Sequence, residues 1–260
     1  MLKTLRLDVN GPEVRAWKIF LVGQDQPLEV NDLFDDTTRL ATANFQRNNR
    51  LSADGVVGPK TYSVALALGF PAVIEPGVDE TSSNWPPRPN YAPPYAVDRE
   101  RLFGKFSYVA SPTAVNPEAV KITDNWADSN LVWVHIPQLL RVTSAPRDCR
   151  IQFHVRAAGQ LQALWAAWEK DQLLPLVISF AGSWVPRFIR GSRSTLSNHA
   201  WGTAFDINAP QNALGVIPAL VGNRGSVRKL VPLAEQHGFY WGGWYGHRPD
   251  GMHFEVARIL

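Results

Sequence analysis

Seven prolines fall between Pro71 and Pro94, with Gly77, Ser82 and Ser83 among them. Proline fixes φ near about −65° and has no amide proton, so such a stretch builds neither a helix interior nor a central strand. Residues 71–98 therefore read as an extended, semi-rigid tether. It divides the 260-residue chain into two parts, residues 1–70 and 99–260. Trp85, Tyr91 and Tyr95 leave an alternative open, because their rings can lay the tether against a neighbouring domain.

Composition narrows the class. Hydrophobic residues make up 45% of the chain and charged residues 19%, which excludes wholesale disorder. The net charge is +3 and no block of five or six like charges occurs, so no nucleic-acid partner is expected. Cys149 stands alone, which excludes a disulfide framework. No run of eighteen apolar residues is present, so no membrane insertion is expected. Met1 to Asn10 lacks the apolar run of a signal peptide, so a substrate outside the cytoplasm calls for another export route.

Residues 1–70 carry helical spacing. After Gly11-Pro12, the residues Val14, Trp17 and Leu21 recur on one face; after Asp36, Leu40, Ala41 and Phe45 do the same. Asp54-Gly55 marks a tight turn, and Pro59 suits a first helical position. A third helix over Lys60 to Leu68 places Tyr62, Ala65 and Leu68 inward. The run Gly11…Val14…Trp17…Leu21, then Phe34-Asp35-Asp36…Ala41…Phe45-Gln46…Leu51…Asp54-Gly55-Val56-Val57-Gly58-Pro59-Lys60-Thr61, resembles the three-helix peptidoglycan-binding domain. The resemblance implies that this part binds cell wall and has no catalytic role.

From Arg99 the pattern is mixed. Leu131 to Ile136 is β-rich, and Leu161, Leu164, Trp165 and Trp168 form a buried stripe that predicts a helix between Gln152 and Lys170. Leu173 to Phe180 reads as a buried strand closed by Gly182. Ser226 is positioned to cap a helix with Val227, Leu230, Val231 and Ala234 inward, ending at Gly238. Met252 to Ala257 alternates as a strand does. Strands and helices follow no regular βα repeat, so the expected class is α+β, with a mainly antiparallel sheet flanked by helices.

Two stretches carry chemistry: Ser197-Asn198-His199-Ala200-Trp201-Gly202-Thr203-Ala204-Phe205-Asp206, and Asp250-Gly251-Met252-His253-Phe254-Glu255. A catalytic zinc takes about three protein ligands and keeps one position open. His199, Asp206 and His253 supply such a set. Gly202 and the β-prone residues after it argue for a loop running into a strand, in which Asp206 lies on the face opposite Phe205 and Ile207. Period two puts Glu255 on the face of His253. By spacing alone, Asp250 and Glu255 are rival general bases, and Glu255 is equally suited to orient a ligand imidazole.

The motifs S.H..G.A.D and [ED]..H, carried here by Ser197, His199, Gly202, Ala204, Asp206, Asp250 and His253, resemble those of the zinc D-alanyl-D-alanine carboxypeptidase family. That family also contains the L-alanyl-D-glutamate endopeptidases of phage endolysins. The likeness extends through Ile136-Pro137-Gln138-Leu139, Phe180 to Arg193 and Gly238 to Gly243. It implies Zn2+ held by His199, Asp206 and His253, with Asp250 as base and acid. It also implies an arginine that binds the substrate carbonyl. Arg187 matches best, with Arg190 and Arg193 as rivals. Ser197, Trp241 and His247 are the implied substrate contacts, although Ser197 serves equally as a loop cap and His247 stands near Trp244, where relatives carry a polar residue. His135, His154 and His237 read as surface or satisfied core histidines.

The chain is thus expected to be a monomeric zinc peptidase hydrolysing stem-peptide amides of peptidoglycan, reached by holin release or another export route. Both carboxypeptidase and endopeptidase specificities stay open. The competing expectation is a non-catalytic wall-binding protein with a peptidase-like fold.

Overall fold

The computed structural model describes residues 3–24, 26–68, 70, 84–245 and 248–260. The chain forms two compact units. Met1–Trp85 with Asn212–Pro218 and Gly243–Gly251 make one; Pro86–Gln211, Ala219–Gly242 and Met252–Leu260 make the other. Among the described residues no helix is long and apolar enough to cross a membrane. The class is α+β, as expected.

In the first unit, three helices surround Trp17. Helix α1 (Pro12–Gly23) begins on a proline, α2 (Asp36–Asn48) is capped by the Asp35 carboxylate, and α3 (Pro59–Ala67) again begins on a proline. The Trp17 ring meets Phe20, Phe45, Tyr62 and Phe70 at 5.3, 5.6, 6.0 and 5.5 Å between centroids. Its indole N–H donates to Thr42 Oγ1 at 2.9 Å, which satisfies the one polar group this burial would otherwise strand. Gln46 ties down the Asp54-Gly55 turn, donating to Asp54 Oδ1 and Val56 O and accepting from Gly55 N–H.

Two expected core positions are surface instead. Leu40 is 53% exposed because the inward stripe of α2 is Thr38, Ala41, Thr42 and Phe45, one residue out of phase with it. Leu68 is 47% exposed because α3 ends at Ala67, so its side chain leaves the helical face.

The second unit opens with α4 (Ala96–Phe103), which starts inside the stretch that reads as tether. Residues 71–83 of that stretch lie outside the described residues; further along it, the Tyr91 hydroxyl lies 2.8 Å from Glu235 O and 2.9 Å from Phe239 O, with the Arg258 guanidinium over its ring. Tyr95, in contrast, is exposed. A hairpin of β1 (Tyr108–Ala110) and β2 (Val120–Ile122) follows, then α5 (Trp126–Asn130) and the antiparallel pair β3 (Leu131–His135) and β4 (Arg150–His154). Helix α6 (Ala158–Lys170) covers the main sheet. That sheet is formed by β5 (Phe180–Gly182), β6 (Ala204–Ile207), β7 (Phe239–Trp241) and β8 (His253–Val256), antiparallel in the order β5-β6-β8-β7, with α7 (Val231–Gln236) leading into β7.

Three expectations need correction here. The helix does not begin at Gln152, because Ile151 and Phe153 alternate inward on β4 and pair with Val134 and Val132; helix starts only at Ala158. Leu173 to Phe180 is not one strand: Pro175 sits in the first turn of a short 3-10 helix over Leu174–Leu176, and only Phe180 onward is strand. The last helix is shorter than expected, since Pro232 occupies its first turn and the Ser226 hydroxyl donates to Ala219 O instead of capping.

Period two gives the main sheet two unlike faces. Phe205 and Phe254 stack at 5.4 Å and 7° on one face, where Trp165 and Trp168 of α6 cover them. Burying four large aromatics there anchors the sheet, and leaves Asp206, His253 and Glu255 on the other face.

Candidate metal centre

Asp206 and His253 are direct cross-strand partners on β6 and β8. Side chains so placed stand about 5 Å apart at Cβ, close enough to share a ligand. His199 arrives from a 3-10 turn over Asn198–Trp201, which Gly202 ends in the left-handed conformation (φ 63°). The turn is pinned by main-chain bonds from Val185 N to His199 O (3.1 Å) and from His154 N to Gly202 O (2.8 Å). The Trp201 indole adds a bond to Gly104 O at 2.9 Å.

The three side chains converge. His199 Nε2, His253 Nδ1 and Asp206 Oδ1 form a triangle with edges of 3.1, 3.2 and 3.0 Å. All three residues are buried, and they are the group of potential ligands that comes together among the described residues. His199 Nδ1 lies 2.6 Å from Ser183 O. A carbonyl only accepts, so Nδ1 carries a proton and Nε2 is the ring atom turned to the triangle. Orientation of a ligand imidazole by a carbonyl on its far nitrogen is a common feature of metal sites. Ser183 O is a main-chain atom, which is why no side-chain pattern in the sequence pointed to it.

Electrostatics agree with this arrangement. Burial by itself raises the pKa of the Asp206 carboxyl, but the charge and hydrogen bond of His199, with those of His253, outweigh it and hold the group below the usual carboxylate range. A carboxylate and two imidazole nitrogens facing one another at about 3 Å in a buried pocket repel unless a proton or cation lies among them. The donor set, two imidazoles and a carboxylate, is one that first-row divalent ions accept.

The other candidates are placed less closely. Arg187 is fixed through its backbone: the segment from Val185 to Ile189 pairs with residues 195–199 on one side and with Glu118 and Val120 on the other. Arg190 is engaged elsewhere, 2.7 Å from Glu118 Oε2, and Arg193 is exposed. Asp250 lies in the 243–251 segment of the first unit, where Gly215 N donates to Pro249 O at 2.7 Å. Ser197 is buried, and its side chain makes no capping bond. Trp241, expected to touch substrate, has none of its surface exposed: it sits on β7 opposite Phe254 and is core. His247 lies outside the described residues. His154 behaves as a satisfied core histidine, its ring 3.1 Å from Phe103 O, with burial pushing its pKa down.

Residues 190–256 match the family model described as D-alanyl-D-alanine carboxypeptidase, and residues 10–64 match that of the putative peptidoglycan binding domain. The first span contains His199, Asp206, Asp250 and His253, and begins three residues after Arg187. Among solved structures the chain is similar to one described as the crystal structure of Burkholderia AP3 phage endolysin, with 34% identity and a TM-score of 0.25. The match covers 27% of this chain and 27% of that one. No curated protein matches the chain. The chain thus joins a segment similar to the D-alanyl-D-alanine carboxypeptidase family model, residues 190–256, to one similar to the putative peptidoglycan binding domain, residues 10–64.

Proposed function

We propose that the protein is a zinc-dependent peptidase that hydrolyses amide bonds in the stem peptides of peptidoglycan, with residues 1–70 as its wall anchor. The observation that carries the proposal is the triangle of His199 Nε2, Asp206 Oδ1 and His253 Nδ1. Zinc bonds of about 2.0–2.1 Å in a tetrahedron separate adjacent ligand atoms by about 3.3 Å. Edges of 3.0 to 3.2 Å are close to that spacing before any ion is present. That spacing supports Zn2+ as the ion these three residues would hold, where it would supply Lewis-acid polarisation of a carbonyl and acidification of water.

The chain's own residues supply the rest. Asp250 is proposed to take the proton of the attacking water and to return it to the leaving amine, so that the peptide C–N bond breaks without releasing a free amide anion. The Arg187 guanidinium is proposed to bind the carbonyl oxygen as negative charge develops on it, an interaction worth roughly 3 kcal/mol when the donor is fixed in advance. The rigid two-sided pairing of the Arg187 backbone supports that role, and the Glu118 ion pair weighs against Arg190. Ser197 is proposed as a substrate contact. The peptidoglycan-binding segment supports the wall as partner and raises the local concentration of substrate around the peptidase.

Replacing His253 by Ala is expected to remove bound zinc, measured by plasma emission on the purified protein, and to abolish release of amino groups from purified peptidoglycan. Mass spectrometry of the muropeptides released by the unaltered protein identifies the bond. Undiminished release by the zinc-free variant overturns the proposal, and absence of any release by a zinc-loaded protein leaves a wall-binding role.

A further inference from the structure

We propose that Glu255, Asn198 and Arg99 form a brace that fixes the separation of the His199 and His253 imidazoles before a metal ion arrives. The proposal rests on the reading of His199, Asp206 and His253 as metal ligands, and concerns the residues that hold them in place.

Asn198 immediately precedes His199 in its 3-10 turn, and Glu255 follows His253 by two residues on β8, on the same face of the sheet. The Asn198 side-chain amide donates to Glu255 Oε2. One hydrogen bond therefore ties the turn that carries one ligand to the strand that carries another. Arg99 of α4 reaches the same oxygen, with Nη2 at 3.6 Å. It is itself held by a bond from Nη2 to Pro94 O at 2.8 Å, and its guanidinium lies 5.5 Å from the centroid of the Trp201 ring, at the far end of the turn. Thr203 Oγ1 donates to Asn198 O at 3.1 Å and closes the loop on itself.

Glu255 is 1% exposed and Arg99 8%. A buried ion pair gives little net stability over apolar residues of the same volume, so its presence calls for a role in fixing geometry. Metal ligands need that service, because the groups that touch an ion must be held to within about 0.5 Å. The Ser183 carbonyl sets the rotation of the His199 ring; the brace sets where its backbone stands. Glu255, with Oε2 engaged by Asn198 and Arg99, is a positioning residue and not the general base.

The test uses Asn198→Ala and Glu255→Gln in the full chain. Zn2+ affinity is measured by competition with a chromophoric chelator, geometry by the visible spectrum of the Co2+-loaded protein, and folding by thermal unfolding of the metal-free protein. Both variants are expected to lose about 10–100-fold in Zn2+ affinity, the range found when groups that orient ligands are removed. The Co2+ spectrum is expected to change, while metal-free Asn198→Ala unfolds within a few degrees of the unaltered protein. Should Glu255→Gln fail to fold with Arg99 left unpaired, the double variant Arg99→Met with Glu255→Gln removes both charges and is expected to show the same loss. Unchanged affinity and spectrum in Asn198→Ala, which removes the donor, or in Glu255→Gln, which removes the charge that faces Arg99, overturns the brace. An unaltered protein that takes up no Zn2+ overturns the metal reading itself, so the two failures are told apart.

Discussion

At Asp206 a single carboxylate must be both buried and ionised. Its ionised state is held by the two imidazoles, which outweigh the cost of burial. Asp206→Asn keeps the shape and removes the charge. It is expected to lower divalent-ion affinity at least about 100-fold with little change in far-ultraviolet circular dichroism, as measured by chelator competition. Asp35 shows the same logic at a helix end. Desolvation pushes its pKa up, but bonds from Thr38, Thr37 and Lys18 override this and hold it well below the ordinary value. A folded-state pKa below the unfolded one contributes stability that is full above the unfolded value of about 3.9 and is lost as pH falls through the folded one. Asp32 and Asp54 are shifted the same way, Asp32 chiefly by its hydrogen bond to Arg15 and Asp54 by the Val56 N–H. The melting temperature is therefore expected to drop below about pH 4, and to drop less steeply in Asp35→Asn. Asp35→Ala is expected to cost about 2 kcal/mol or more at neutral pH, since it removes the cap of α2 and a partner of the fully buried Lys18.

His199 is joined to the sheet by the turn that Gly202 ends. A Cβ at Gly202 would lie 2.6 Å from Leu131 Cδ2 and 3.3 Å from His154 N, at a φ that side chains resist. Gly202→Ala is expected to destabilise the protein by about 1–3 kcal/mol, read in chemical denaturation, and to weaken metal binding in step, because the turn that moves carries His199. This site was legible in the sequence for a local reason. His199, Gly202 and Asp206 lie within eight residues, and alternation alone put Asp206 opposite Phe205 and Ile207. The helices of the first unit were legible because prolines, caps and the turn at Asp54-Gly55 mark them residue by residue. Strand β4 was not, since its alternation of Ile151 and Phe153 runs straight into a helix stripe with no turn signal between them. Arg99 was hidden for a different reason: its partner Glu255 lies more than half the chain away, and no local pattern encodes that meeting.

At the scale of the whole chain, the boundary between the compact units does not follow the order of the sequence. The segments 212–218 and 243–251, drawn from the second half, belong with residues 1–85. Trp244 is 3% exposed and packs its ring on Trp85 at 5.1 Å between centroids. The backbone at Gly215 comes within 3.7 Å of where a Cβ on Gly23 would stand. The 243–251 segment carries Asp250, the proposed base, and a catalytic group displaced by about 1 Å can lose about 100-fold in rate. If the first 85 residues were only an anchor on a tether, removing them would reduce attack on insoluble wall and leave turnover of a small soluble stem peptide intact. The packing of Trp244 predicts otherwise. A chain of residues 86–260 is expected to expose that indole, seen as a red shift in tryptophan emission, and to lose at least about tenfold in kcat/KM on a soluble peptide while retaining Zn2+ in the His199, Asp206 and His253 site. Full turnover of the soluble peptide by the shortened chain would show that Asp250 needs no support from residues 1–85. Loss of turnover with the metal retained would place residues 1–85 in the support of Asp250, the proposed base, as well as in wall binding.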